Sequence, residues 1–292
     1  MFDSHGLSGH RAYTNDMGEY VRPSRLEEAL SALARPHVVL AGGTDFYPAR
    51  VGRTIDEDIL DISAIAALRG ISATAEGWRL GAATSWSELL EADLPPVFDG
   101  LKQAAREVGG RQIQNAGTLA GNLCNASPAA DGVPGLLTLD AEVEIASRTA
   151  TRRLPLEQFI TGVRRTALIP GELVVAIHIP KPMREARSAF LKLGARRYLV
   201  ISIAMAAAVI EIADGRVAAA RLAIGACSAV AQRLPALEAA LLDAPVDRHL
   251  ADRVDLAHLA PLAPIDDIRG SAGYRSDAVL VLLRRLLAGF AP

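Results

Sequence analysis

Between Arg111 and Asp131 the chain is crowded with small residues, amides and hydroxyls and has little room for large apolar side chains. Gly117 and Gly121 lack Cβ atoms, which permits tight turns and close approach of a ligand to the backbone. Exposed N–H groups in such a loop form a concave anion site. Thr118, Asn122 and Ser127 add side-chain donors, and Asp131 offers an acceptor suited to ribose hydroxyls. The pattern predicts a phosphate-and-sugar cradle for a nucleotide-like cofactor. The same composition also suits a plain Gly/Asn turn followed by a Pro-started helix.

A second segment of this kind precedes it. Val38-Val39-Leu40-Ala41 reads as a short buried strand that empties into Gly42-Gly43-Thr44-Asp45. Two glycines let backbone N–H groups converge on a phosphate, and Thr44 adds a hydroxyl; a plain turn leaving a strand is the alternative. The segment is not a Gly-x-Gly-x-x-Gly fingerprint, and no Gly-Lys-Ser/Thr P-loop occurs. Nicotinamide binding on a Rossmann fold and ATP hydrolysis on a P-loop are therefore disfavoured.

Composition narrows the classes further. Aromatic residues make up only 4% and the formal charge is -2, which argues against a nucleic-acid partner or an anionic membrane. The only cysteines, Cys124 and Cys227, are far apart, so the chain offers no ordinary iron–sulfur or zinc framework. The longest apolar run, Leu199 to Ile210, is too short to span a bilayer. Asp3, His5 and His10 stand where a secretory signal would be apolar, so a cytoplasmic location is expected.

The rest of the chain reads as short α and β pieces. Ser24/Glu27 and Ser85/Glu88 have the capping-box pattern of helix starts. Strands are expected at Ile59–Ile62, Trp78–Gly81, Glu142–Ile145, an edge-like Thr151–Pro155 and Glu172–Ile179, with helices at Val97–Val108 and Leu156–Phe159. His178 reads as a strand-face residue. Pro180-Lys181-Pro182 marks a candidate boundary. Beyond it lie three expected strands, Ala189–Leu193, Tyr198–Ile212 and Arg216–Gly225, the last two joined by the hairpin signal Asp214-Gly215. Helices are expected at Arg233–Leu242 and Ser271–Leu287, the latter with Val279, Leu282, Leu283, Leu286 and Leu287 on one face. No nucleophile–base pair and no metal-ligand spacing stands out. Binding loops without a catalytic constellation suit a protein whose cofactor carries the chemistry.

Together these loops resemble the FAD-binding medium subunits of the molybdenum hydroxylases. The likeness rests on Leu40-Ala41-Gly42-Gly43-Thr44-Asp45, Gly117-Thr118-Leu119-Ala120-Gly121-Asn122 and Ala126-Ser127-Pro128-Ala129-Ala130-Asp131. It extends to Lys192 with Ala195-Arg196-Arg197, and to Tyr274-Arg275, covering about Tyr20 to Leu287. The resemblance implies an α+β fold: a flexible lead-in over 1–17, then a two-subdomain FAD-binding domain of PCMH type over 18–182, divided near residue 70. A C-terminal domain over 183–292, with a three-stranded antiparallel sheet and helices, would follow. It implies that Leu40, Ala41 to Phe46, Gly117, Thr118, Ala120, Gly121, Asn122 and Ser127 serve FAD, with the pyrophosphate on Ala41–Phe46 and Thr118–Asn122. Asp131 would lie on the ribose side, Val174 near the flavin and Lys192 near its ring.

The implied partners are a molybdenum-cofactor large subunit and a [2Fe–2S] small subunit, in a heterotrimer or a dimer of heterotrimers. Electrons would pass through this chain to NAD⁺, a quinone, oxygen or another acceptor. A self-contained FAD oxidoreductase of the vanillyl-alcohol-oxidase-like superfamily is the alternative, and a nucleotide-binding regulatory module a third reading. One departure is Ala120, where the family commonly has glycine; a methyl there is costly if the position needs positive φ. Cys124 is expected to be a small buried filler.

Overall fold

The computed structural model describes residues 18–196 and 199–291. The lead-in expected over 1–17, Arg197 of the basic run and Tyr198 of the second C-terminal strand lie outside the described residues.

The first unit is built from β1 (Tyr20–Val21), α1 (Leu26–Ala32), β2 (Val38–Leu40) and β3 (Ile59–Asp61). Its strands form a parallel sheet in the order β1-β3-β2. Helix α1 buries Ala29 and Leu30 against Leu60, Ile62, Ile65 and Leu68. The Ser24–Glu27 capping box does not form. The helix starts one residue later than the motif requires, with Arg25 at the N-cap, and the Glu27 carboxylate pairs with Arg25 at 3.4 Å.

Next come β4 (Ile71–Ala73), β5 (Gly77–Gly81), α2 (Trp86–Glu91), α3 (Asp99–Glu107), α4 (Arg111–Ala116), α5 (Leu119–Asn125) and α6 (Gly132–Thr138). They are followed by β6 (Glu142–Ala146), β7 (Thr151–Pro155), α7 (Leu156–Phe159), β8 (Ile160–Gly162), β9 (Arg165–Thr166) and β10 (Leu173–Pro180). An antiparallel sheet in the order β4-β5-β10-β6-β7 leaves β7 at the edge, as its composition predicts. Central β10 is buried throughout Leu173–Ile177 because both of its faces are covered. Leu173 and Val175 join the core of the first unit, while Val174, Ile177 and Ile179 pack with Trp86, Leu119 and Leu123. At α2 the capping box forms as expected. Glu88 N donates to Ser85 Oγ at 3.2 Å, and Ser85 N donates to the Glu88 carboxylate at 2.6 Å.

The last third holds β11 (Glu185–Leu193), β12 (Ala204–Ala213), β13 (Arg216–Gly225), β14 (Gln232–Arg233), α8 (Pro235–Leu241) and α9 (Ala272–Ala288). The three expected strands pair antiparallel, but β11 starts at Glu185, before the expected Ala189, and β12 starts only at Ala204, with residues 199–203 outside any strand; the two-residue β14 extends the sheet to four. Asp214 and Gly215 turn the β12–β13 hairpin with φ of 51° and 72°, the positive pair that a type I′ turn demands. Strand β12 alternates between two cores. Ala204, Ala206, Ala208 and Ile210 share one with the apolar stripe of α9, while Met205 and Ala207 meet Ala104 of α3. That stripe of α9 is buried at every position the spacing predicts. Helix α3 fits tightly on β11, where Gly100 N donates to Ser188 Oγ at 2.8 Å. Among the described residues, no helix is long and apolar enough to cross a membrane.

Candidate cofactor site

The segments expected to be two cradles meet in one cleft of about 510 Å³. Strand β2 ends at Leu40, and the chain then turns over Gly42 and Gly43, with Gly43 at φ +71°. Gly42 touches the second segment: a Cβ there would lie 1.8 Å from Ala116 O and 3.0 Å from Gly117 Cα. At Gly117 a Cβ would stand 3.5 Å from Thr44 Oγ1. A side chain at position 42 would collide with the Ala116 carbonyl, so only glycine allows this approach there.

The second segment is less loop-like than expected. Residues 111–125 fold into α4 and α5, with a break at Gly117 and Thr118 as the N-cap of α5. Asn and Gly are poor helix formers, but burial of Leu119 and Leu123 and the cap at Thr118 override that preference. Its N–H groups are largely used within the protein. Leu119 N donates to Thr84 O at 3.0 Å, Gly121 N to Thr118 Oγ1 at 3.1 Å and Asn122 N to Thr118 O at 3.0 Å. The first segment differs. Among the described residues, the N–H groups of Gly42, Gly43, Thr44, Asp45 and Phe46 donate to no protein acceptor.

Leu40 to Phe46, Gly117, Thr118, Ala120, Gly121, Asn122 and Val174 all line the cleft. Ala120 is helical, does not have positive φ, and is buried, so its methyl is accommodated without backbone strain. Ser127, Asp131 and Lys192 do not line the cleft. Ser127 Oγ accepts from Ala129 N at 3.3 Å in a local turn. Asp131 and Lys192 form an ion pair at 3.0 Å, with their side chains 14% and 5% exposed, and Ser202 Oγ donates to Asp131 at 2.9 Å. Burial pushes the Asp131 carboxyl above its ordinary range, against the opposing pull of Lys192 and Ser202. This pair still adjoins the cleft. Asn122 Oδ1 accepts from Gly132 N at 3.2 Å, which ties a cleft residue to the start of α6 beside Asp131.

Several wall residues escaped the sequence reading. Trp86, which follows the Ser85 cap but has no role assigned from the sequence, wedges against Gly117 and Gly132 and lines the cleft. Its signal was a large apolar residue directly after the N-cap Ser85. Glu172 also lines the cleft, while its carboxylate takes Arg152 at 2.7 Å. That pairing holds the Glu172 carboxyl below the usual carboxylate range. Cys124, expected to be buried filler, is instead exposed at the cleft wall, because α5 turns that face toward the opening.

The chain is similar to known proteins in both sequence and fold. The profile of the FAD binding domain in molybdopterin dehydrogenase matches residues 14–182, and that of the CO dehydrogenase flavoprotein C-terminal domain matches residues 189–289. The xanthine dehydrogenase FAD-binding subunit of Escherichia coli O157:H7 is 30% identical, over 94% of this chain and 96% of that protein. The carbon monoxide dehydrogenase medium chain of Afipia carboxidovorans is 31% identical, over 91% and 94%. In the solved structure of reconstituted CO dehydrogenase from Oligotropha carboxidovorans, the matching chain superposes with a TM-score of 0.86 at 26% identity, covering 94% of this chain and 98% of that one. In sequence and in fold, the chain belongs to the family of FAD-binding medium subunits of the molybdenum hydroxylases.

Proposed function

We propose that this chain holds FAD across Gly42–Phe46 and Gly117–Asn122 and relays electrons from a partner subunit to an external acceptor. The observation that carries this reading is the row of five backbone donors, Gly42 to Phe46, without a protein acceptor. Backbone N–H groups that no protein acceptor takes remain free to donate to water or to a ligand. Gathered at a cleft, they suit a ligand rich in anionic oxygens, such as a pyrophosphate.

The residues present fit FAD. The cleft lies within the range of about 300–1,000 Å³ common for cofactor sites. Thr44 and the N–H groups of the first segment would hold the pyrophosphate, with Ala120 N adding a donor from the second. Val174, Leu168, Val108 and Ile113 supply an apolar wall that keeps water away. Asp131 and Lys192 lie just outside the cleft and are paired with each other, so their ion pair would have to open for Asp131 to take ribose hydroxyls and for Lys192 to set a positive charge beside the ring. The flavin, when bound, supplies a carrier that exchanges electrons singly or in pairs.

The partners in this reading are a large subunit with the molybdenum cofactor, where the organic substrate is oxidised, and a small subunit with [2Fe–2S] centres. The complex would be a heterotrimer or a dimer of heterotrimers. With only Cys124 and Cys227, this chain has no iron–sulfur ligand set of its own. Its relatives carry the names of single subunits, and their names point to different substrates at similar identity. Substrate choice therefore falls to a partner.

A reconstitution titration tests the site. The apo chain should bind one FAD, followed by flavin absorbance near ~450 nm. Gly43→Val and Gly121→Val should abolish binding while the circular dichroism spectrum persists. Full flavin occupancy in both variants would show the cradle to be misplaced. Oxidation of an organic substrate by the purified chain alone would overturn the relay reading.

A further inference from the structure

The parallel sheet β1-β3-β2 aligns more than its strands. Tyr20 is in register with Ile59, and Ile59 with Val38. The residues immediately before them, Glu19, Asp58 and His37, therefore form a row at the amino end of the sheet. The cofactor cleft lies at the opposite end, where Leu40 runs into Gly42. One ligating atom from each of Glu19, His37 and Asp58 lies within 4.8 Å of the other two.

The histidine is the informative member. Its Nδ1 lies 3.1 Å from Arg35 O. A carbonyl only accepts, so Nδ1 carries the proton and the neutral ring keeps its lone pair on Nε2. That Nε2 is shielded from solvent and has no hydrogen-bond partner among the described residues. A backbone carbonyl on one ring nitrogen, with the other left open, is the arrangement that fixes a metal-binding tautomer. The carboxylates keep free oxygens too. Asp58 Oδ1 accepts from Glu19 N at 2.7 Å, which leaves Oδ2. Glu19 gives Oε2 to Arg35 and retains Oε1.

We propose that Glu19, His37 and Asp58 form a divalent-metal site of the zinc type that ties together the amino ends of three adjacent strands. One imidazole nitrogen with two carboxylate oxygens suits zinc better than calcium or magnesium, which favour all-oxygen shells. Three protein ligands leave the fourth position to water. The role is structural. Strands of two and three residues bury little, and a shared ion would hold their ends in register. This inference is independent of the cofactor reading, because the row and the cleft sit at opposite ends of the sheet.

The test is calorimetric titration of the full-length, FAD-loaded chain with zinc chloride. His5 and His10 are replaced by alanine in the reference and in every variant, so that neither competes as an imidazole ligand. The reference should bind one equivalent of zinc and melt at a higher temperature with zinc than without it. His37→Ala and Asp58→Asn should bind at least tenfold more weakly and lose the thermal shift. Asp58→Asn keeps an oxygen for Glu19 N, so it carries the test if His37→Ala does not fold. Absence of stoichiometric binding in the reference overturns the proposal. So does binding that is unchanged in a folded variant.

Discussion

Gly42 and Ala116 stand in direct contact, so close that a Cβ on Gly42 would lie 1.8 Å from the Ala116 carbonyl oxygen. This contact welds two segments that are remote in sequence into one cleft. The obstructing atom is backbone at the end of a helix, so it cannot rotate away. Gly42→Ala is expected to push the segments apart and weaken FAD binding at least tenfold, about 1.4 kcal/mol or more. Secondary structure should persist, because neither segment contributes large apolar side chains at the contact. Flavin titration alongside circular dichroism checks this, and unchanged affinity would refute it.

Ala120 is expected to tolerate the family's commoner glycine without functional gain. The residue is helical and buried, so Ala120→Gly should cost about 1 kcal/mol in stability. Its backbone N–H is the same in both residues, and FAD affinity should stay within twofold. Denaturant melts and flavin titration separate the two effects.

Asp131 and Lys192 are buried together, and each depends on the other. Lys192→Met leaves a buried carboxylate without its cation, which should cost about 3–5 kcal/mol at neutral pH. Burial already raises the Asp131 pKa, and removal of Lys192 raises it further. The folded state then binds a proton more tightly than the unfolded chain, so stability falls as pH rises through that window. The deficit should therefore shrink on acidification toward the ordinary carboxylate value of 3.8. Melts at several pH values test the slope, and Asp131→Asn added to Lys192→Met should restore most of the loss.

Asp61 shows the opposite sign. Burial would raise its pKa, yet hydrogen bonds from the Tyr20 hydroxyl and Ser63 N, with Arg22 nearby, hold it below 3.8. A depressed folded pKa stabilises above the unfolded value and is lost as pH falls through the folded one. Asp61→Asn should cost about 1–3 kcal/mol at neutral pH. The gap to the parent should close in strong acid, as read from melts across the acid range. A gap that does not depend on pH would rule out the ionised carboxylate as its source.

Much of the fold could be read locally. The stripe from Val279 to Leu287, the continuous apolar run of β10, the Ser85–Glu88 box and the Asp214-Gly215 turn each depend on residues a few positions apart. The same reasoning failed where the exact helix start or burial, and not residue type, decided the outcome. Ser24 and Glu27 carry the capping pattern, but the helix begins one residue later. Residues 111–125 look like a loop, yet burial of Leu119 and Leu123 makes them helical.

The sequence by itself determined the two glycine segments, the missing iron–sulfur ligands and the family, because these depend on residue type and order along the chain. Tertiary structure decided what those segments touch. It joined Gly42 to Ala116, seated Trp86 against Gly117 and Gly132, paired Asp131 with Lys192, and set Glu19, His37 and Asp58 in one row. Each of these contacts spans many residues of chain, and no local pattern encodes it. Strand register and helix docking bring such groups together, and both are fixed only when the apolar faces of the whole chain are buried at once.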